Sequence, residues 1–163
     1  EKQKQGESGG LTMDATGAEN HCTILVVEPS TLEQGMLWVG TDDGQVQITR
    51  DGGTTWANVS ANIKGLPKNS WIPQIKASTR NKGEALLVAN DYRRLNYTPY
   101  AYRTRDYGKT WERIVDENDV KAFVLSIVED SEQPNLMFLG TDDGLYISFD
   151  AGGKWTKWTE GYP

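Results

Sequence analysis

Short apolar stretches separated by turn residues recur along the chain, and their pattern predicts strands. Residues 22–27 are continuously apolar, which is typical of a strand buried on both faces. Pro29 ends this stretch because proline cannot donate to a strand ladder. Residues 46–49 alternate apolar and polar, as in a half-buried strand, and Asp43-Gly44 before them is a hairpin signal. With 36–40 and 56–59, the pattern predicts four short strands in this part of the chain.

The same order of four strands is predicted twice more, and no stretch has convincing helical amphipathicity. The further strands are predicted at 72–77, 84–89, 100–104 and 111–115, and then at 123–128, 136–140, 145–148 and 155–158. We therefore divide the chain into three repeats, 21–61, 70–116 and 121–160. Residues 1–20 lack periodicity and are interpreted as an irregular tail or the remnant of a preceding repeat.

Each repeat carries one Asp–Gly–Trp motif, in which Gly follows Asp by two positions and Trp follows it by five. The motifs are Asp51, Gly53 and Trp56; Asp106, Gly108 and Trp111; and Asp150, Gly152 and Trp155. Thr-Asp-Asp-Gly also recurs, at 41–44 and 141–144. The motif aspartates stand 55 and 44 positions apart, which is the period of a four-stranded β-propeller blade. The sequence thus predicts an all-β fold of about three propeller blades, each with four antiparallel strands.

The motif residues suit a turn between the third and fourth strands of each blade. Asp accepts hydrogen bonds from backbone N–H groups of the turn, and Gly adopts a positive φ without steric cost. Trp buries a large apolar area over the turn. We therefore interpret these aspartates as turn staples and not as catalytic acids. Lys154 stands where the other motifs have Thr55 and Thr110, so the third turn is expected to be looser.

The pattern Ser/Thr-x-Asp-x-Gly-x-Thr-Trp resembles the Asp-box, or bacterial neuraminidase repeat, over about residues 20–160. This repeat occurs in sialidases, in xyloglucan-degrading glycoside hydrolases and in sortilin-type receptors. Residues 40–44, the motif at 49–56 and the segment 62–69 are most similar to secreted bacterial proteins described as sortilin-like or glycosyl-hydrolase-like. The resemblance implies a secreted or periplasmic location. It also implies that the Asp-boxes lie away from any ligand site.

Three blades are too few for a ring, since closed propellers have about four to eight. An open arc leaves sheet faces exposed that would normally pack on neighbouring blades. We therefore expect a fragment of a larger propeller. Its expected partners are the remaining blades of a parent chain or other copies of this chain.

Strand order assigns the loops to two ends of each blade. The motifs share one end with the first-to-second turns, while the second-to-third turns and the inter-blade links 60–70 and 116–121 share the other. Blade 2 has an expanded loop, 90–99, at that other end, and long loops in compact domains are often functional. Its candidate ligand-binding residues are Asp91, Tyr92, Arg93, Arg94, Asn96 and Tyr97. Stacking rings and charged groups suit a glycan or a peptide; a solvated, variable insertion is the alternative.

Weak catalytic candidates are the paired aspartates Asp42, Asp43, Asp142 and Asp143. Carboxylates on a shared face can act as acid and base in glycoside hydrolysis, or they can bind Ca²⁺. Asp-Gly is itself a turn signal, so turn formation is the competing interpretation. The blades that carry the two pairs are not adjacent, which disfavours a close catalytic pair.

Composition and charge argue against nucleic-acid binding and against a membrane-spanning segment. A net charge of −6 without a clustered basic face argues against nucleic-acid binding, and no apolar run is long enough to span a membrane. Cys22, the only cysteine, is interpreted as an inert core thiol. His21 has no metal-spaced partner, so no cofactor is expected apart from Ca²⁺.

We expect a binding or scaffold module for a protein or glycan, with no complete catalytic site in this chain. The alternative is a fragment of a glycoside hydrolase whose catalytic carboxylates lie partly on missing blades.

Overall fold

The computed structural model describes residues 22–161, which form three four-stranded antiparallel sheets of consecutive strands. Blade 1 contains β1 (Ile24–Pro29), β2 (Leu37–Thr41), β3 (Val46–Thr49) and β4 (Ala57–Asn58). Blade 2 contains β5 (Trp71–Ala77), β6 (Ala85–Asp91), β7 (Asn96–Thr104) and β8 (Glu112–Arg113). Blade 3 contains β9 (Val124–Glu129), β10 (Met137–Thr141), β11 (Gly144–Ser148) and β12 (Thr156–Lys157). The predicted architecture is confirmed, and the predicted tail 1–20 lies outside the described residues.

The helical content of the described residues is limited to two short 3₁₀ turns, Ser60–Asn62 and Tyr92–Arg94. No helix in the range 22–161 is long and apolar enough to cross a membrane.

The three motifs lie at one end of the blades, together with the turns between the first and second strands. In blade 1 the Gly52 N–H donates to the Gly35 carbonyl at 2.8 Å. The corresponding bonds in the other blades run from Tyr107 to Gly83 and from Ala151 to Asn135, both at 2.9 Å. We call this end the motif face, and we call the opposite end, with 41–44, 90–99 and 141–144, the loop face.

Strand order predicts that the inter-blade links lie on the loop face. The structure places them there only in part. The link 60–70 reaches it, since Arg94 donates to the Lys68 carbonyl at 2.6 Å. The link 116–121 also packs against the motif of blade 3, where the Trp155 N–H donates to Asp119 at 3.0 Å. The links start from the outermost strands, which brings them past the next motif before they turn inward.

The core consists of two clusters, one between blades 1 and 2 and one between blades 2 and 3. Alternate residues of β6 serve the two clusters: Leu87 packs towards blade 1, while Leu86 and Val88 pack towards blade 3. Leu87 and Val88 are fully buried, and each such side chain stabilises the fold by about 1.5–3 kcal/mol. Blade 2 therefore holds the arc together.

β1 is not buried on both faces, so that prediction is wrong. Ile24 and Val27 are 57% and 53% exposed, whereas Ile75, in the corresponding strand of blade 2, is 1% exposed. The reason is that blade 1 has no neighbour on this side among the described residues. Cys22, expected in the core, is likewise exposed and has a φ of 69°.

Candidate functional site

The loop that distinguishes blade 2 is a compact turn on two long strands. β6 continues to Asp91 and β7 begins at Asn96, so only 92–95 leave the ladder. The 3₁₀ turn Tyr92–Arg94 ends at Leu95, whose φ of 61° reverses the chain. The segment 90–99 therefore projects from the loop face as the end of two paired strands. It is not a freely solvated insertion.

Three of the six predicted ligand-binding residues hold the loop itself. Asp91 is buried, and its Oδ1 accepts a hydrogen bond from Arg94 Nε at 2.6 Å. Its Oδ2 accepts from Asn96 Nδ2 at 3.2 Å. Arg94 also donates to the link through Lys68. Because their polar groups are already engaged, Asp91, Arg94 and Asn96 form the support of the loop.

The other three predicted ligand-binding residues contact two aromatic residues from neighbouring segments. They are Tyr92, Arg93 and Tyr97. The Arg93 guanidinium lies 3.2 Å from the ring centroid of Trp71, and Tyr92 stacks on Phe123 with centroids 4.7 Å apart. Tyr97 lies 6.2 Å from Phe123 with its ring tilted by 45°. We call Trp71, Arg93, Tyr92, Phe123 and Tyr97 the aromatic strip. It crosses the loop face from the start of β5 to the segment just before β9.

Trp71 and Phe123 were not among the predicted site residues. Both stand next to the first strand of a blade, at its loop-face end, where Trp71 pairs with Asn90 at the end of β6. Strand order places these positions beside the loop 90–99. That signal could have identified them before the structure was known.

Asp43 and Asp143 accept hydrogen bonds within their own turns, whereas Asp42 accepts one from outside its turn. Asp42 is buried and accepts a hydrogen bond from the Thr23 N–H at 2.8 Å. Asp43 is also buried and accepts a bond from the Thr41 hydroxyl. Asp143 accepts from Thr141 at 2.9 Å and from Lys157 at 3.0 Å. Desolvation raises the pKa of Asp143, but these bonds outweigh it and the net shift is downward.

Asp142 is exposed, like Asp143, and it lies next to the aromatic strip. Its backbone N–H donates to the Phe123 carbonyl at 3.3 Å. Blade 2 separates the pair on blade 1 from the pair on blade 3. The structure therefore does not bring the four predicted carboxylates into one cluster.

No group of three metal-ligating side chains occurs among the residues that the structure describes. His21 falls outside that part of the chain. Calcium binding by the paired aspartates stays a prediction.

The motif carboxylates organise the turns that carry them. Asp51 accepts from the Thr49 hydroxyl at 2.8 Å, from the Thr55 N–H at 2.8 Å and from the Thr55 hydroxyl at 2.6 Å. These bonds, led by that of the Thr55 hydroxyl, lower the pKa of Asp51 to about 2. In the third motif the Lys154 N–H still bonds to Asp150 at 2.9 Å. This turn keeps its backbone bond and lacks the donation that a hydroxyl at position 154 would make.

The motif tryptophans connect blades more than they cover turns. Only Trp56 lies over its own turn, where Nε1 donates to the Gly53 carbonyl at 3.1 Å. Trp155 instead donates to the Ile114 carbonyl of blade 2 at 2.7 Å. Trp111 packs edge-on against Trp38 of blade 1, with centroids 5.9 Å apart.

An open cavity of about 510 Å³ lies on the motif face between blades 2 and 3. Its charged lining is mixed: Arg103, Arg105, Arg113, Glu112, Asp116, Asp119 and Asp150. Arg103 is buried and bridges the two blades by donating to the Ala151 carbonyl at 3.0 Å. We interpret this cavity as an inter-blade groove, since its buried polar group serves the contact between the sheets.

Known proteins that resemble the chain share this architecture, although no protein-family model matches it. The oligoxyloglucan-reducing end-specific xyloglucanase of Emericella nidulans is 31% identical over 126 residues, covering 71% of this chain and 14% of that protein. An ancestral GH74 enzyme superposes with a TM-score of 0.66 at 18% identity, covering 85% of this chain and 18% of that one. YCF48 from Cyanidioschyzon merolae superposes with a TM-score of 0.63 at 21% identity, covering 87% of this chain and 38% of that one.

The chain is part of a β-propeller. Its structural neighbours are propellers in longer chains, and it spans only 14% of the length of the curated relative that it matches.

Proposed function

We propose that this arc of a β-propeller binds a glycan through the aromatic strip on its loop face. The observation that carries the proposal is the alignment of Trp71, Arg93, Tyr92, Phe123 and Tyr97 across two blades. Ligand sites combine apolar and aromatic surface with a small number of placed polar groups. The strip has this composition, and Tyr97 is 52% exposed.

A polysaccharide of the xyloglucan type is the ligand that the comparisons favour. The curated relative is named for its action on oligoxyloglucan, and its similarity extends over 71% of this chain. An extended sugar chain presents flat, apolar ring faces with hydroxyl groups at their edges. Aromatic rings can stack on those faces, while the Arg93 guanidinium can donate to the hydroxyls.

The test is the affinity of the chain for xyloglucan oligosaccharides, measured by isothermal titration calorimetry. Tyr97→Ala removes an exposed ring and is expected to weaken binding about tenfold, equivalent to about 1.4 kcal/mol. Arg93→Lys keeps the charge but loses the planar stack on Trp71, and we expect a similar loss.

Phe149→Ala is the matched control, because Phe149 is 72% exposed next to the third motif on the motif face. It should leave the affinity unchanged. Unaltered binding by both Tyr97→Ala and Arg93→Lys, or a loss caused equally by Phe149→Ala, would contradict the proposal.

The alternative function is that of a glycoside hydrolase fragment. The name of the curated relative favours it, as does the exposed residue Asp142, whose backbone bonds to Phe123 of the strip. Here Asp142 would act as one of two carboxylates, and its partner would lie on a blade outside this arc.

This alternative predicts release of reducing ends from xyloglucan by the propeller that contains the arc. Asp142→Asn should then lower kcat at least a hundredfold. Asp143→Asn perturbs the same turn without touching Asp142, so its kcat should stay near that of the wild type. Equal rates for wild type and Asp142→Asn would exclude Asp142 as the acid or base.

The repeated motif also supports assigning the chain to the Asp-box propellers, with a secreted or periplasmic location. A polymeric glycan ligand fits such a location. Cell fractionation of the native host, with the protein detected by antibody, tests it directly.

A further inference from the structure

Arg93 differs from the other arginines of the chain because it has no carboxylate partner among the described residues. Every other arginine forms an ion pair with an Asp or Glu of this chain. These paired arginines are Arg50, Arg80, Arg94, Arg103, Arg105 and Arg113. The chain has a net charge of −6, so acidic residues outnumber basic ones. The missing partner is therefore a local property of the loop face.

The Arg93 guanidinium is stacked in place while its N–H groups stay available. Its central carbon lies 3.2 Å from the ring centroid of Trp71 and 5.8 Å from that of Tyr92. Within the described part of the chain its only hydrogen-bond acceptor is the Tyr92 hydroxyl, at 3.5 Å from Nε, where a bond is weak. Arg93 is exposed. Stacking thus orients the guanidinium and leaves the N–H groups at its edge open to a ligand.

Arg50 shows how the same kind of stack is completed elsewhere in the chain. Its guanidinium lies 3.8 Å from the ring centroid of Tyr107 and pairs with Glu33 at 3.2 Å. The two arginines share the contact with an aromatic ring and differ in the carboxylate. At Arg93, a ligand would have to supply the corresponding carboxylate.

The acidic residues near Arg93 do not neutralise it. Asp91 is buried and pairs with Arg94 at 2.6 Å, so its charge is already balanced. Asp142 lies next to the aromatic strip, but it forms no ion pair with Arg93. The strip therefore presents a positive charge that these two carboxylates leave unpaired.

We propose that the glycan bound by the aromatic strip carries a carboxylate group, as a uronic acid does, and that Arg93 binds this group. The inference rests on the proposed function, because it names a substituent of the same glycan. A planar guanidinium donates two parallel N–H···O bonds to a carboxylate, and such bonds are stronger than donation to a neutral hydroxyl.

A uronic acid allows stacking and pairing at the same time. Its carboxylate stands on the exocyclic carbon, at the edge of the sugar ring, so the faces of the ring stay free for aromatic side chains. Tyr97, which is 52% exposed, can stack on a sugar ring whether or not that ring is charged. The ring stack and the charge of Arg93 are therefore separable contributions to affinity.

The experiment compares two oligosaccharides of the same length and linkage that differ only at the exocyclic carbon. A cello-oligosaccharide is neutral, and the corresponding glucuronic acid oligomer carries a carboxylate on each ring. Isothermal titration calorimetry with the full chain at low ionic strength measures both affinities. We expect the acidic oligomer to bind about tenfold tighter, because its bonds to Arg93 are charge-assisted. High salt should reduce this ratio, since salt screens exposed charges.

Arg93→Gln removes the charge, so it should bring the affinity for the acidic oligomer down to that for the neutral one. Arg93 belongs to neither core cluster, and circular dichroism checks that the variant folds. Arg50→Gln is the matched control, because it removes a stacked arginine that already has its carboxylate. It should leave the ratio of the two affinities unchanged. The methyl ester of the acidic oligomer keeps the shape without the charge, and it should bind the wild type like the neutral oligomer.

Tyr97→Ala separates this inference from the proposed function, because it should weaken binding of both oligomers to a similar extent. If the wild type binds both equally and Tyr97→Ala weakens both, the strip binds a neutral glycan and the carboxylate partner is refuted. If neither oligomer binds, the proposed function fails and the inference fails with it. A preference for the acidic oligomer that persists in Arg93→Gln would refute the role of Arg93. Equally tight binding of an oligoglutamate peptide would assign the charge to a protein ligand and overturn the acidic glycan.

Discussion

At the scale of single residues, the charge of Asp51 is the clearest link between sequence and stability. Thr55 donates to this carboxylate through both its backbone N–H and its hydroxyl, and Thr49 adds a third bond. These donors stabilise the ionised form, which is why the pKa of Asp51 lies at about 2 when the ordinary value is 3.8.

A pKa below its unfolded value means that ionised Asp51 stabilises the folded chain above about pH 4. This contribution is lost as the pH falls from about 4 through about 2. Thr55→Val removes the largest cause of the shift, so the variant should lose less stability over this range than the wild type. Thermal melts between pH 2 and 5 measure the difference.

Thr54→Val is the matched control for this titration. The Thr54 hydroxyl donates to the Asp51 carbonyl at 3.1 Å and leaves the carboxylate untouched. Its pH profile should parallel that of the wild type. An identical slope for Thr55→Val and wild type would mean that the hydroxyl does not stabilise the charge.

At the scale of elements, the glycines of the second and third motifs, Gly108 and Gly152, control how closely two blades approach. Gly108 has a φ of 76° and faces Val59 of blade 1 without room for a methyl group. Gly52 has a similar φ of 72°, but no atom lies within 4 Å of a Cβ built there. The two glycines therefore separate backbone strain from inter-blade packing.

Gly108→Ala is expected to cost about 1–2 kcal/mol of strain and about 1–3 kcal/mol of overpacking. Gly52→Ala should cost no more than the strain, since Tyr107 and Ala151 hold the equivalent positions at a φ of 62° and 59°. Denaturant unfolding measures both. Equal costs would show that the blade junction tolerates the methyl group.

The strands and turns were largely predictable because they depend on local patterns. Alternation at 46–49, the breaks at Pro29 and Asp43-Gly44 and the recurring motif identify the sheets without knowledge of distant contacts. The exposure of Val27 was not predictable in this way. An apolar run looks the same whether or not another blade covers it, so burial depends on the neighbour.

The loop site was predicted only in part for the same reason. The expansion at 90–99 is visible in the sequence, but which of its polar residues are already engaged depends on geometry. Asp91 and Arg94 close a short ion pair, while Arg93 stacks on Trp71, more than 20 positions away. The turns of the paired aspartates, in contrast, were predictable from the sequence. Asp43 and Asp143 form hydrogen bonds within their own turns, as a turn-forming sequence predicts.

At the scale of the whole molecule, the candidate site and the packing between blades use different residues. The aromatic strip lies on the loop face and shares no residue with either core cluster. Blade 2 connects the strip to the rest of the arc, because its strands contribute to both clusters. Variants of the strip therefore test glycan binding without removing core contacts.

The central claim is that the aromatic strip binds a glycan, and mapping of NMR shifts during titration with a xyloglucan oligosaccharide tests it most directly. We expect saturable shifts at the Trp71 indole N–H and at the backbone amides of Arg93, Tyr97 and Phe123. The motif amides at Thr55 and Thr110 should remain unchanged and serve as the internal control. Shifts confined to the motif face, or no shifts at millimolar oligosaccharide, would contradict the account.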